Sequence, residues 1–261
     1  MNANSFFLYF VLPAFTIFLI FTNRYYYSKK DSRRMRFNMR EDLFFGNIVG
    51  PIVGLIGILA LYAKILNIQY LSQLRWEILA IFTITLMSLL LGIGLGGHIA
   101  AVSIEKSLKN NKFTEETDHI LFFFHWPFGH KLTYIPAALV IYVIVLLDLF
   151  KGSPEILRPH QEIILGIFAT GLAIATSISF VITHVTRIMF YTLLVLVSGL
   201  FFVLRYETVT LNEHPTSFFF VILCVAILIM MAIYRYIHHF SKPLHSYIQS
   251  KFPDGDKVIE D

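Results

Sequence analysis

The sequence predicts an all-α polytopic integral membrane protein with seven transmembrane helices, and three observations support this. The 261 residues are 56% hydrophobic and only 15% charged, whereas a soluble domain carries about 25% charged residues. Apolar runs of about 18 or more residues recur along the chain, which is the length that a helix needs to cross the hydrocarbon of a bilayer. The runs are continuous rather than alternating, so they predict helices and exclude barrel strands.

The apolar runs place seven spans along the chain, and the short loops between them favour one bundle. The first span has no basic segment before it and no small-residue cleavage site after it, so it predicts a retained helix rather than a signal peptide. Residues 1–251 are expected to form a single seven-helix transmembrane domain, and 252–261 a polar cytoplasmic tail. The predicted spans are 5–22, 43–65, 77–98, 131–150, 162–183, 187–204 and 217–237.

Positively charged residues predict the orientation, because Lys and Arg beside membrane spans stay in the cytoplasm. Seven of them fall between Arg24 and Arg40, directly after the first span. With seven spans, sixteen of the 21 Lys and Arg residues lie on that side of the membrane and five on the other. The N-terminus is therefore predicted outside and the C-terminus in the cytoplasm, in a bacterial inner membrane or a plasma membrane.

The predicted membrane interior excludes several classes of protein, because it holds no Asp, Glu, Lys, Arg or His. Ion-coupled transporters usually carry such groups near the midplane, and a retinal-type Schiff base needs a lysine inside the bundle. The basic residues cluster beside the spans, so the net charge of +4 indicates membrane lipids rather than nucleic acid as partners. The single cysteine, Cys224, excludes an intrachain disulfide.

Small residues spaced four apart occur in the second and third spans. This spacing puts them on one helix face, where they let helices approach closely in lipid. The glycines lie inside an apolar helix, so they predict packing and not a nucleotide-binding turn. The residues are Gly46, Gly50 and Gly54 in the second span, and Gly92, Gly96 and Ala100 in the third.

The segment 114–131 begins polar and becomes strongly aromatic. Pro127 disfavours helix at Trp126, and Gly129 loosens the following turn. We therefore expect a short surface helix that breaks at 126–129 before the fourth span begins. Its aromatic residues are of the kind found at the depth of the lipid headgroups. The segment is either a membrane anchor or a lid that faces the lipid and carries His125 and His130 towards a site.

Histidine placement is the main functional signal. Four predicted spans meet the inner surface near a histidine, and neutral imidazole is a common zinc ligand that also holds haem iron. The pattern predicts a metal site at the cytoplasmic surface, with Asp118 or His125 as its acid or base and Glu105 as another candidate base. The alternative is that histidine is simply tolerated at a polar interface. The predicted metal ligands are His98, His130, His184 and His238.

The predicted function is that of a metal-dependent, hydrolase-like enzyme acting on a lipid or another membrane-embedded substrate. Zinc held by three of the histidines generates hydroxide from bound water. Two alternatives stay open: a non-catalytic subunit, anchor or sensor, and a b-type haem protein with His98 and His130 or His184 as axial ligands. The hydroxyls of Ser179 and Thr183 could donate beside the site, although hydroxyls in membrane helices more often bond their own backbone.

Overall fold

The structure is a computed structural model that describes residues 74–107, 115–151, 156–183, 185–207 and 209–240, with a few positions before residue 53. The predicted spans 5–22 and 43–65 lie almost entirely outside the described residues. Apart from two paired strands of two residues, β1 (Met35–Arg36) and β2 (Met39–Arg40), the described structure is helical. Its helices are α1 (Leu74–Ser107), α2 (Glu115–Phe123), a π-helix (Phe124–His130), α3 (Lys131–Lys151), α4 (Pro159–Ile182), α5 (Thr186–Glu207), a short 3₁₀ turn (Leu211–Glu213) and α6 (Pro215–Phe240).

Five of the described helical stretches are long and apolar enough to cross a membrane. They overlap the five predicted spans from residue 77 onward, although the second, Glu116–Phe150, also takes in the predicted surface helix. The helical membrane class is therefore confirmed. Large apolar side chains are exposed on their outer faces, such as Phe82 (63%), Ile163 (64%) and Phe202 (71%). Apolar exposure of this extent is typical of a protein surrounded by lipid rather than water. The total of seven spans and their orientation stay predictions.

Helix α1 is longer than the predicted third span. It runs for 34 residues, or about 51 Å at 1.5 Å per residue, which exceeds the roughly 30 Å hydrocarbon layer. The span was expected to end at His98, but the helix continues for nine more residues to Ser107. His98 and Glu105 therefore belong to one helix, and because they are seven residues apart they lie on the same face.

The aromatic segment does not break as the sequence predicts. Helix α2 passes into the π-helix Phe124–His130 and then into α3, with right-handed helical backbone angles at Phe123 and Lys131. A π-helix bonds residues five apart instead of four. Proline removes one of these bonds and crowds the preceding turn, and here the chain responds by widening the helix around Pro127 rather than by ending it.

The chain divides into two compact units, Ser28–Leu147 and the remainder, Met1–Tyr27 with Asp148–Asp261. The first unit holds α1, α2, the π-helix and most of α3, and α1 packs mainly on the π-helix. In the second unit α6 packs mainly on α4. Ala169 and Ala173, four residues apart on α4, are fully buried, so small residues allow close helix contact here. The prediction of one seven-helix domain stays a prediction.

Helix starts in the second unit are stabilised by specific acceptors. Gln161 accepts a hydrogen bond from the backbone N–H of Arg158 at 2.8 Å, with Pro159 at the first helical position of α4, an arrangement that favours helix initiation. The carboxylate of Asp148, on α3, accepts from the backbone N–H of Ser217 at 3.1 Å and from its hydroxyl at 2.7 Å. Asp148 is 3% exposed, and it provides a cap for the first turn of α6.

Hydroxyl groups in the helices mostly serve the backbone. The Thr183 hydroxyl donates to the carbonyl of Ser179 at 2.7 Å, four residues earlier, and the Thr83 and Thr133 hydroxyls bond in the same way to Leu79 and Gly129. This is the usual behaviour of Ser and Thr in membrane helices. For Thr183 the hydroxyl thus bonds to its own helix, which is the behaviour that the sequence favoured over a role as a donor beside the metal site.

Candidate metal centre

Three histidines from two neighbouring elements converge in the first unit. His98 comes from α1, and His125 and His130 come from the π-helix; one ligand nitrogen from each lies within 4.8 Å of the others. Their ring centroids are 4.9 Å (His98–His125), 4.5 Å (His98–His130) and 5.6 Å (His125–His130) apart. His130 is buried and the other two are partly buried. Such a group could hold a metal ion.

The widened helix is what brings His125 and His130 together. Residues five apart in an α-helix point about 140° away from each other, at 100° per residue. In a π-helix the hydrogen bonds themselves join residues five apart, so those residues are stacked one turn above the other. The two imidazoles therefore share a face, which faces α1. π-Helical segments of this kind occur frequently at functional sites.

Close approach of α1 to the π-helix depends on glycine. A Cβ atom at Gly129 would lie 2.8 Å from the Cβ of His98 on α1 and 2.5 Å from the carbonyl oxygen of Phe124 in the π-helix itself, and one at Gly94 would lie 2.7 Å from the backbone of Leu132 at the start of α3. Real Cβ atoms do not approach this closely, so only glycine fits at either position. Among the described residues nothing lies within 4 Å of a Cβ at Gly92 or Gly96. The predicted stripe of Gly92, Gly96 and Ala100 is therefore exposed, and α1 uses a different face for packing.

A carboxylate holds His125 from the side of α1. Glu105 places Oε2 at 2.9 Å and Oε1 at 3.1 Å from Nδ1 of His125. The Nδ1 atom of His98 lies 3.4 Å from the backbone carbonyl oxygen of His125. The site therefore combines three imidazoles with one carboxylate, and Glu105 occupies a position beside the group rather than within it.

Aromatic side chains surround the group. Trp126 is stacked on His125 with ring centroids 5.0 Å apart, and it also contacts His130 at 5.1 Å. Tyr134, on α3, is stacked on His130 with ring centroids 6.0 Å apart. These rings exclude water from part of the site and restrict how far the imidazoles can turn.

The arrangement fits a small ion with modest adjustment. Zinc binds imidazole nitrogen at about 2.0–2.1 Å in tetrahedral geometry, which puts two ligand nitrogens about 3.4 Å apart. The three nitrogens here lie within 4.8 Å of one another, so small side-chain rotations would close the group around an ion. Three protein ligands leave a fourth position for water, as in catalytic zinc sites.

The predicted ligand set is only partly represented in this group. His98 and His130 are both in it, whereas His184 lies outside the described residues. His238 is in the last turn of α6, which belongs to the other unit, and its side chain is outside the described part. Asp118 is exposed on α2 and is not one of the three residues that converge; its assignment as a catalytic acid or base stays a prediction.

His125 was expected to act in catalysis and not as a ligand. The sequence signal that could have placed it beside His130 is their spacing of five residues, which matches one π-helical turn, with proline between them. No sequence rule selects a π-helix over a break at that proline, so the pairing emerges only in the fold.

Comparison with known proteins identifies no relative. No protein-family model matches the chain, and neither a curated protein nor a solved structure is significantly similar to it.

Proposed function

We propose that this protein is a membrane-embedded zinc enzyme of the hydrolase type, with the metal held by His98, His125 and His130. One observation carries the proposal: three imidazoles from two packed elements place a ligand nitrogen each within 4.8 Å of one another. This ligand set differs from the predicted one in using His125, whereas His184 and His238 are not needed for a site with three protein ligands.

The chemistry follows from three neutral ligands and an open coordination position. Zinc in such a site lowers the pKa of its bound water to about 7, so that hydroxide is available at neutral pH. A zinc held by these three histidines would supply hydroxide for hydrolysis of an ester or amide, in which the bond to the leaving oxygen or nitrogen breaks and a proton of the water passes to the leaving group. A general base near the water, for which Asp118 was predicted, would assist the transfer.

A lipid-like substrate is supported by the surface that adjoins the histidines. Phe123, Phe124 and Phe128 form a cluster with ring centroids 5.4–5.5 Å apart. Phe123 is 49% exposed and Phe124 39% exposed, and Phe124 directly precedes His125 in the chain. An acyl chain lying on these rings would have its polar end close to the metal. Membrane lipids are therefore the proposed partner and substrate class.

The packing of the imidazoles favours a small ion over haem. A haem with two axial histidines must insert its macrocycle between the two rings. The His98 and His130 centroids are only 4.5 Å apart, and Trp126 and Tyr134 occupy the neighbouring space. A single atom fits at the point where the three nitrogens converge, whereas a macrocycle does not.

The membrane topology is part of the proposal. We place the N-terminus outside, the C-terminus in the cytoplasm, and the histidine group at the cytoplasmic surface of a bacterial inner membrane or plasma membrane. The support is the distribution of Lys and Arg beside the spans. Reporter fusions after residues 40, 112 and 251 should all report the cytoplasmic side; a fusion reporting the opposite side would contradict the orientation.

The metal site is tested by elemental analysis of the detergent-purified protein. We expect close to one zinc per chain in the wild type, and loss of zinc in His98→Ala, His125→Ala and His130→Ala. His160→Ala is the matched control, because His160 is exposed at the start of α4. His214 is a less suitable control, since it is 6% exposed and its removal changes a buried site.

Two outcomes would overturn the metal site: no metal in the wild type, or equal loss in His160→Ala. Thermal unfolding provides an independent reading, because a ligand that binds only the folded state at 100 times its dissociation constant stabilises by about 2.7 kcal/mol. Added zinc should raise the melting temperature of the wild type and not that of His98→Ala.

The reaction is tested with aryl esters in mixed micelles. Zinc-loaded wild type should hydrolyse a p-nitrophenyl ester with a 16-carbon acyl chain faster than the acetate ester, and Phe124→Ala should reduce this preference. Absence of ester and amide hydrolysis in a protein that binds zinc would reject the hydrolase assignment while leaving the metal site, and a non-catalytic role would then be favoured.

A further inference from the structure

We infer that Glu105 is a positioning residue of the metal centre, which holds His125 in the tautomer that presents Nε2 to the ion. The inference rests on the proposed zinc site and adds to it a side chain that does not bind the metal itself. The sequence suggested Glu105 only as a candidate base.

The hydrogen bond determines which nitrogen can bind a metal. Nδ1 of His125 lies 2.9 Å and 3.1 Å from the two carboxylate oxygens of Glu105. A carboxylate only accepts, so Nδ1 carries the proton and donates it, and the lone pair of the neutral ring is then on Nε2. Metal-bound histidines in proteins commonly donate their second nitrogen to a carboxylate in this way, which fixes the ring and increases the basicity of the ligand.

His98 shows the same arrangement with a weaker acceptor. Its Nδ1 atom lies 3.4 Å from the carbonyl oxygen of His125, and backbone carbonyls are the other common partner of metal-bound histidine. The Nε2 atom of His130 is shielded from solvent. The bond to Glu105 thus assigns Nε2 of His125 as its ligand atom, in the group that this ring forms with His98 and His130.

The contribution of Glu105 to folding is expected to be small. Its side chain is 34% exposed and that of His125 is 15% exposed. Pairs with such access to solvent contribute little to stability. Loss of Glu105 should therefore change metal binding by His125 while leaving the stability of the fold nearly unchanged, and this distinguishes a positioning role from a structural one.

The experiment measures zinc affinity by chelator competition, and the absorption spectrum of the protein loaded with Co²⁺. Glu105→Gln retains a neutral acceptor and Glu105→Leu removes it, so affinity should fall in the order wild type, Gln, Leu. The loss for Leu should be about 10- to 100-fold, as for other partners of metal-bound histidine. Both variants should shift the Co²⁺ bands, whereas Glu116→Gln, an exposed residue on α2, should leave affinity and spectrum unchanged.

The outcomes separate this inference from the proposed function. A wild type without zinc would overturn both. A wild type that binds zinc, with Glu105→Gln and Glu105→Leu binding it equally well, would overturn the positioning role alone. Unchanged affinity with a lower hydrolytic rate would instead assign Glu105 as a base. Melting temperatures measured without metal show whether the variants fold, and a Glu105→Leu variant that melts like the wild type but binds zinc weakly supports the inference.

Discussion

Two polar sites of this membrane protein are built in opposite ways. At the start of α6, Asp148 is 3% exposed, and one of its oxygens accepts from both the backbone N–H and the hydroxyl of Ser217. In the histidine group, three side chains of the same kind converge within 4.8 Å. The first site pairs an acceptor with donors, whereas the second brings like groups together.

The difference indicates which site is structural and which is poised for a ligand. A buried acceptor that meets two donors completes its hydrogen bonding inside the protein, and this stabilises the fold. Three imidazoles that place one ligand nitrogen each within 4.8 Å of one another form a group that could hold a metal ion. Substitutions at the two sites should therefore change different quantities.

The largest expected effect on the histidine group comes from Gly129→Ala. The added methyl group would lie 2.5 Å from the carbonyl oxygen of Phe124 and 2.8 Å from the Cβ of His98, so the π-helix must change shape, move away from α1, or both. Overpacking of this kind costs about 1–3 kcal/mol, and displacement of His98 should weaken zinc binding about tenfold or more. Chelator competition measures the affinity, and thermal unfolding measures the stability.

Gly96→Ala is the matched control for that experiment. It changes the same residue type on α1, but no described residue lies within 4 Å of the new methyl group. Alanine favours helix over glycine by about 1 kcal/mol, so stability should be equal or slightly higher and zinc affinity unchanged. Equal loss of zinc in both variants would contradict the packing face described for α1.

A medium effect, confined to stability, is expected for Asp148→Ala. The substitution removes the carboxylate that accepts from the amide and the hydroxyl of Ser217, and loss of one partner of a buried hydrogen bond costs about 1–3 kcal/mol. Ser217→Ala removes only the hydroxyl and should cost about 1 kcal/mol. Thermal unfolding in detergent checks this order, while zinc content should match the wild type. Loss of zinc in a folded Asp148→Ala variant would show that the two sites are coupled.

The smallest effect is expected for Thr183→Val. The Ser179 carbonyl accepts from both the backbone N–H of Thr183, at 2.9 Å, and its hydroxyl, at 2.7 Å. The carbonyl therefore keeps one hydrogen bond in the variant, and the change in stability should not exceed about 0.6 kcal/mol. A marked loss of hydrolytic rate in Thr183→Val would instead favour the alternative role of this hydroxyl as a donor beside the site.

Much of the helical framework was predictable from composition and run length. A span of apolar residues must be helical in lipid because no water is present to bond the backbone, so the predicted spans from 77 onward coincide with α1 and α3 to α6. Helix ends were less predictable: α1 extends past His98 to Ser107, because hydropathy marks where lipid contact ends and not where helical hydrogen bonding ends.

The candidate site was predictable in part. His98 and His130 were chosen because they occur where predicted spans meet the surface, and both are in the converging group. His125 was instead assigned to catalysis and not to the metal ligands. Pro127 predicted a break in the helix, and after such a break the sequence does not determine where the side chains point. The exposure of Gly92 and Gly96 was also unexpected, since spacing alone cannot say which of several small-residue faces meets another helix.

The sequence by itself determined the helical membrane class, five of the apolar spans and a histidine-rich region beside them, because these depend on transfer of side chains between water and lipid. Only the tertiary structure decided that His98, His125 and His130 meet and that Glu105 holds one of them. Their meeting depends on a π-helical turn and on glycine at position 129, where a Cβ would clash both with the π-helix's own backbone at Phe124 and with His98 on α1. Such contacts are properties of two surfaces together, and neither stretch of sequence specifies them alone.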